Sequence, residues 1–210
     1  MRHFIPVILA LSALILFCSP SRCGFISNNQ YSRESFSGRD LGDRTIGMCP
    51  FLGIDGTDTS GSLKPFRQLE NARKLRRDLK FTSVEEVQNK IIGKLGMESL
   101  KTFYDQLSKC DMIALQTSDS VWNAIECDYY LVNRLRSGIS IKSFDGASRK
   151  RLELETELWD CRTKEPVWRQ TVSGICSGSD IQDTEFLNQA ISRMLEEIPK
   201  VKPAYDDRNW

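Results

Sequence analysis

The sequence predicts a domain of the α+β or α/β class, in which helices cover at least one face of a sheet of four to five strands. Three observations lead to this prediction. Apolar residues at helical spacing occupy the middle of the chain, residues 151–176 alternate between apolar and polar like a β-hairpin, and a last helical pattern ends at Pro199. The resulting order of strand, helices, strand, hairpin and helix fits a single domain over residues 45–200.

The first strand of this domain is predicted at residues 45–54, TIGMCPFLGI, a mostly apolar segment that ends in a Pro-containing turn. The following segment, residues 55–62, is a loop by composition. Its acidic residues, Asp55 and Asp58, do not have the spacing of an EF-hand, so calcium binding is not predicted there.

Four helices are expected before the next strand. Residues 65–77 have apolar residues on one side and end in the basic sequence KLRR, which we interpret as a solvated face. Ser83 and Glu86 form a capping box that begins a second helix, and Gly96 lies where that helix would end. The third and fourth helices are predicted at residues 97–109 and 117–126. The short segment MIAL at residues 112–115 fits either a strand or the end of a helix.

A second strand, CDYYLVNRLRSGI, is predicted at residues 127–139. Its first residues are apolar on both faces, which indicates a strand inside the sheet rather than at its edge.

The alternating segment predicts a hairpin with a turn at residues 162–164. If Cys161 closes against Glu165, Leu158 lies opposite Trp168 and Leu154 opposite Val172. That register places the apolar residues of both strands on one face. Three glutamates then share the other face, where we expect solvent and weak surface ion pairs rather than catalysis: Glu153, Glu155 and Glu157.

The last helix is predicted to begin at Asp183 or Thr184 and to end before Pro199, with a broad apolar stripe. The polar tail, residues 201–210, is expected to be loose.

The N-terminus has the pattern of an export signal. A short basic start is followed by the apolar segment IPVILALSALILF, which is shorter than the roughly 20 residues of a membrane-spanning helix. We therefore expect residues 1–17 to be a signal peptide. Cys18 follows the apolar residues LILF and looks like the cysteine of a bacterial lipobox, although Phe17 stands where a small residue is usual. Cys23 is a poorer candidate, because Arg22 precedes it. Lipidation of Cys18 is the preferred interpretation, and ordinary signal cleavage is the alternative.

Residues 18–44 are then predicted to be the anchor and a flexible tether, because residues 24–44 are polar and have no period. Six cysteines remain besides Cys18, and an even number in an exported chain makes disulfides plausible without fixing their pairing.

Composition excludes several kinds of chemistry. The one histidine, His3, lies in the leader, so catalysis or metal binding by histidine is excluded in the mature chain. Lys and Arg number 29 and Asp and Glu 28, and removal of Arg2 with the leader makes the rest neutral. Such a balance does not attract nucleic acid. No cofactor, no metal site and no catalytic residue are predicted.

The strand beginning CDYY, the hairpin with the motifs LWD and VWR, and the closing helix ending in IP resemble a group of uncharacterised bacterial lipoproteins from leptospires and myxobacteria. The layout is also similar to the N-terminal domain of the Tol system's propeller protein and to curli-secretion lipoproteins. These resemblances imply a domain that contacts other envelope proteins without an active site. They also imply that four residues form the fold rather than a site: Asp128, Trp159, Asp160 and Trp168.

We therefore expect an exported, periplasmic or outer-membrane-attached lipoprotein with an accessory or scaffold role, not an enzyme. Its partners would be the membrane, through the lipid anchor, and envelope proteins, and this function predicts an exposed sheet edge or apolar patch. The alternative is a small-ligand-binding or transport-auxiliary module, which predicts a concave pocket with converging polar groups. A carboxylate or cysteine enzyme ranks last.

Overall fold

A six-stranded mixed sheet forms the centre of the chain in the computed structural model, which describes residues 22–53, 73–142, 148–177 and 183–201. The strand order is β1-β6-β5-β4-β2-β3; β2 runs parallel to β3 and β4, and the other neighbours are antiparallel. The strands are β1 Arg22–Ser32, β2 Thr45–Gly53, β3 Lys80–Thr82, β4 Tyr129–Lys142, β5 Ser148–Asp160 and β6 Glu165–Ser177. The class agrees with the prediction, but the sheet is larger than the four to five strands expected.

Helices pack on both faces of this sheet. They are α1 Val84–Leu95, α2 Met97–Lys109, α3 Met112–Thr117, α4 Asp119–Ile125 and α5 Asp183–Glu197. Helices α1 to α4 bury one face around Tyr130, Val132 and Trp159. Helix α5 buries the other face around Leu131, Leu154 and Val172. The interior position predicted for the strand after residue 127 is confirmed, because β4 lies between β5 and β2.

The local helix signals are largely confirmed. Ser83 Oγ accepts the N–H of Glu86 at 3.1 Å and begins α1, and Gly96 ends it with a φ of +84°, a conformation that favours glycine. Residues 112–117 are a helix, which decides between the two interpretations of MIAL. Of the helix expected at residues 65–77, the structure describes only a 3₁₀ turn at Arg73–Leu75 and the residues after it.

The hairpin register is confirmed at both predicted pairs, since Leu158 lies opposite Trp168 and Leu154 opposite Val172. The turn differs by one residue. Asp160, not Cys161, pairs with Glu165, and a register shift between Leu158 and Trp159 restores the predicted pairing. The observed loop, residues 161–164, is one residue longer than predicted, and Asp160 Oδ1 stabilises it by accepting the N–H groups of Arg162 at 2.9 Å and Thr163 at 3.3 Å.

The prediction of a flexible tether at residues 24–44 is wrong. Residues 22–32 form β1, which pairs with β6 along its length and is joined to it by a disulfide between Cys23 and Cys176. Gly38–Leu41 then form a 3₁₀ turn capped by Ser37 and Asp40. The folded part of the chain therefore begins before the predicted boundary at Thr45, and β1 together with the short strand β3 accounts for the larger sheet.

Several predicted features lie outside the described residues. They are the signal peptide at residues 1–17, the anchor residue Cys18, the loop at 55–62 with Asp55 and Asp58, and the tail after Val201. Within the described ranges, none of the helices is sufficiently long and apolar to cross a bilayer.

Candidate functional site

Strand β1 is one edge of the sheet, and its two faces differ in burial. Phe25 points toward α5, where its ring lies 5.5 Å from that of Phe186. Gly174 on β6 allows this contact, because a Cβ there would lie 2.7 Å from the Phe25 ring. Together with the Cys23–Cys176 disulfide, this contact fixes one face of β1 against the body of the domain and leaves the other face available.

The other face of β1 and β6 carries exposed apolar side chains. Ile26 is 64% exposed, Ile175 is 50% exposed and Tyr31 is 44% exposed. Gly24 lies directly opposite Ile175, so Ile26 and Ile175 are diagonal neighbours on this face. Helices α1 to α4 pack on this same face of the sheet, but over β2 and β4. Within the described chain, they leave Ile26, Tyr31 and Ile175 exposed. We call Ile26, Tyr31 and Ile175 the β1–β6 patch.

A buried charge cluster lies on the same sheet face as the β1–β6 patch. Glu157 is fully buried and pairs with Arg134 at 2.7 Å and with Arg169, while Trp159 Nε1 donates to it at 2.9 Å. The expectation that Glu157 faces solvent is therefore wrong, and so is the expectation of only a weak surface pair. Alternation placed Glu157 on the correct face, but Arg134, Arg169 and Trp159 enclose its carboxylate there.

Arg134 links this cluster to the helical layer. Its guanidinium is 1% exposed, donates from Nε to the carbonyl of Leu107 at 2.9 Å, and also pairs with Glu155 at 3.0 Å. Burial acts to lower the pKa of Arg134, but Glu157 and Glu155 outweigh it and hold the pKa above its usual value. The guanidinium therefore stays charged and anchors the last turn of α2 to the sheet.

A polar groove of about 640 Å³ opens at the end of the sheet where β4 begins and β5 ends. Asp128 organises one wall, accepting bonds from the N–H and hydroxyl of Thr45 at 2.9 and 3.0 Å and from Arg44 at 2.9 Å. Burial acts to raise the pKa of Asp128, but these three donors hold it below its usual value. Arg39 and Arg162 line the same groove.

The residues singled out by the resemblance form the fold in this structure. Trp159 is fully buried and stacks on Trp122, with ring centroids 5.7 Å apart, and Trp168 is buried on the α5 face. Asp128 connects β4 to the start of β2, and Asp160 holds the hairpin turn.

The free cysteines of the described chain are poor nucleophiles. Burial raises the pKa of Cys49 to about 12 and also raises the pKa values of Cys110, Cys127 and Cys161. A reactive cysteine needs the opposite shift, because the thiolate is the attacking species. Among the residues that the structure describes, no group of three or more Cys, Asp or Glu side chains is placed to hold a metal ion.

No protein-family model and no curated protein matches this chain. Among solved structures, it is similar to a PelC dodecamer from Paraburkholderia phytofirmans, at 10% identity and a TM-score of 0.46, over 85% of this chain and 99% of that one. It is also similar to lipoprotein GNA1162 from Neisseria meningitidis, at 15% identity and a TM-score of 0.48, over 73% of this chain and 96% of that one. A Xanthomonas campestris protein of the DUF330 family is similar at 13% identity and a TM-score of 0.32, over 72% and 78% of the two chains.

These similarities span most of each chain, with TM-scores below 0.5. The resemblance to Tol-propeller and curli-secretion domains stays a prediction.

Proposed function

We propose that this chain is an exported envelope lipoprotein, anchored through Cys18, that acts as an accessory or scaffold by contacts along β1 and the β1–β6 patch. The observation that carries the proposal is this patch, where two isoleucines at least half exposed lie side by side on an open sheet face. Apolar side chains grouped in this way are typical of protein-interaction sites. The Cys23–Cys176 disulfide supports an exported location, because such bonds persist in oxidising compartments.

The anchor is tested by intact-mass spectrometry of the native protein from its host's membrane fraction. We expect a chain that begins at Cys18 and carries added acyl mass. A Cys18→Ala variant of the full chain is the control, and we expect it to lose the acyl mass and leave the membrane fraction. An unmodified wild-type chain cut near residue 23 would contradict the anchor.

The contact surface is tested with a photo-crosslinking amino acid at position 26 of the full chain in the host. Position 113 is a matched control, because Ile113 is also an exposed isoleucine but lies on α3, away from β1. We expect adducts at position 26 and few at position 113. Equal labelling at both positions, or none at position 26, would contradict a role for the β1 edge.

A small-ligand-binding or transport-auxiliary role is the second candidate, and the polar groove favours it. Three arginines and four carboxylates line that groove: Arg39, Arg44, Arg162, Asp40, Glu126, Asp128 and Asp160. Its ligand would therefore be a small polar molecule that carries both positive and negative groups. Isothermal titration with a zwitterionic dipeptide and with inorganic phosphate, repeated on Arg162→Ala, tests this role. Heat that disappears in the variant would support it, and no heat from either probe would remove its basis.

A further inference from the structure

Strand β1 has almost none of the features that edge strands use to avoid pairing with other strands. Its residues 23–32, CGFISNNQYS, contain no Lys, Arg, Asp, Glu or Pro. Edge strands in natural proteins usually carry such charges, a proline or a bulge. The pairing of β1 with β6 shifts register only between Asn29 and Tyr31. Residues 23–29 are therefore a regular and uncharged edge.

The disulfide shows which backbone groups of β1 point outward. Cys23 and Cys176 are directly opposite with Cα atoms 4.2 Å apart, and such a short distance is typical of a non-hydrogen-bonded pair in an antiparallel ladder. The N–H and C=O of Cys23 then point away from β6. By alternation, the same holds for Phe25, Ser27 and Asn29, whereas Ile26 directs its backbone groups toward β6.

We propose that two copies of this chain pair antiparallel through β1, about a two-fold axis at Ile26. Ile26 is the middle residue of the segment 23–29. With the axis there, Phe25 lies opposite Ser27 of the second copy and Cys23 lies opposite Asn29. Every outward-facing residue then meets another outward-facing residue. The free N–H and C=O groups of the regular edge are all paired in this register, and the two sheets become continuous.

The side chains favour the same register. On the open face, Ile26 lies beside Ile26 of the second copy, and Ile175 flanks this pair on each side. The contact covers two of the most exposed apolar side chains of the described chain and extends them into one stripe across the junction.

The absence of charge on this edge favours a second copy of the chain as its partner. A charged edge would repel its own copy, but residues 23–32 carry no charge, and the chain without its leader has equal numbers of basic and acidic residues. Such a pairing is isologous and closes at two subunits through this edge. The proposal deepens the proposed function, on which it rests, by naming the partner of the β1 edge. A shared membrane would raise the effective concentration of the two copies.

The test is oxidative cross-linking of the full chain in the membranes of expressing cells. Ile26→Cys is introduced with Cys110→Ser, because Cys110 is an exposed thiol. We expect a covalent dimer of twice the monomer mass under non-reducing conditions, since Ile26 would form a non-hydrogen-bonded pair with its own copy. Two controls in the same background, Asn28→Cys and Ile113→Cys, are expected to stay monomeric. Asn28 tests the register, because it would lie opposite Gly24 rather than itself.

A second variant separates pairing from cross-linking chemistry. The mass of the wild-type protein in mild detergent, measured by light scattering after gel filtration, should be that of a dimer. Ile26→Lys should give a monomer with an unchanged melting temperature, while Ile113→Lys should remain a dimer. A monomeric wild type, or a dimer that survives Ile26→Lys, would overturn the proposal.

Failure of self-pairing and failure of the proposed function would give different results. A cross-link from position 26 to a different protein, with a monomeric purified chain, would overturn self-pairing and leave the proposed function standing. Absence of any adduct at position 26, as expected if another segment of this chain covers the edge, would overturn both.

Discussion

The carboxylate of Glu157 lies between the guanidinium groups of Arg134 and Arg169 and away from solvent. A buried ion pair of this kind contributes little over an apolar alternative, but loss of one partner leaves a buried charge without compensation. The three residues come from β4, β5 and β6, so the cluster connects the middle of the sheet to its β1 side. Through Arg134, the cluster also contacts the Leu107 carbonyl in the last turn of α2.

We expect Glu157→Gln to lower the free energy of unfolding by about 3 kcal/mol, because both arginines would keep their charge beside a neutral side chain, and Glu155 would be the only carboxylate still paired with Arg134 among the residues that the structure describes. Glutamine has nearly the same shape and can still accept from Trp159. Urea unfolding measures the change. The control is Glu98→Gln, which removes an exposed pair with Lys101 and should cost less than about 1 kcal/mol. Equal losses in the two variants would contradict a structural role for the cluster.

At the scale of elements, the end of α5 depends on a residue far away in sequence. Arg76 donates to the carbonyls of Leu195 at 2.8 Å, Ile198 at 2.6 Å and Pro199 at 3.1 Å, and binds Asp78 through two bonds of 2.8 Å. The last carbonyls of a helix have no partners within it, so Arg76 supplies them. The interpretation of KLRR as a wholly solvated face is therefore wrong for Arg76, which is buried.

The pair of Arg76 and Asp78 makes the stability of the fold depend on pH in the acidic range. The hydrogen bonds from Arg76 lower the pKa of Asp78 from 3.8 to about 2, so its stabilisation is complete above pH 3.8 and is lost as the pH falls toward 2. After allowance for the partial exposure of Asp78, we expect a loss of about 1 kcal/mol over this range. Asp78→Asn should remove that part of the loss, as measured by urea unfolding at each pH. Asp43→Asn is the control, because Asp43 pairs with Lys80 in full contact with solvent. A wild-type curve parallel to that of Asp78→Asn would contradict the assignment.

At the scale of the whole molecule, β1 is held at one edge of the sheet by few contacts outside its pairing with β6. The Cys23–Cys176 disulfide closes a loop with a sequence separation of 153 residues. Long closed loops restrict the unfolded chain strongly, and such bonds typically contribute 2–4 kcal/mol. The edge that we propose as the contact surface is thus also the part that the disulfide secures.

We expect removal of this disulfide, by a reductant or by joint Cys23→Ala and Cys176→Ala substitution, to lower the free energy of unfolding by about 3 kcal/mol. Hydrogen exchange should accelerate first in β1, because β5 and β4 remain paired on both sides. Joint Cys127→Ala and Cys110→Ala substitution removes two thiols without a disulfide and serves as the control. Uniform acceleration across the sheet would contradict a local role for the bond.

Elements with local patterns could be predicted from the sequence. The apolar stripes of α1, α2 and α5, the Ser83 cap and the pairing of Leu158 with Trp168 follow from spacing along one segment, which backbone geometry converts directly into faces and register. By contrast, contacts between distant segments make residues 22–32 a strand, bury Glu157 and bring Arg76 to the end of α5. In each case a contacting residue lies more than 20 residues away, on β6, β4 or α5. Periodicity states which way a side chain points, but burial and pairing depend on what the rest of the chain places in front of it.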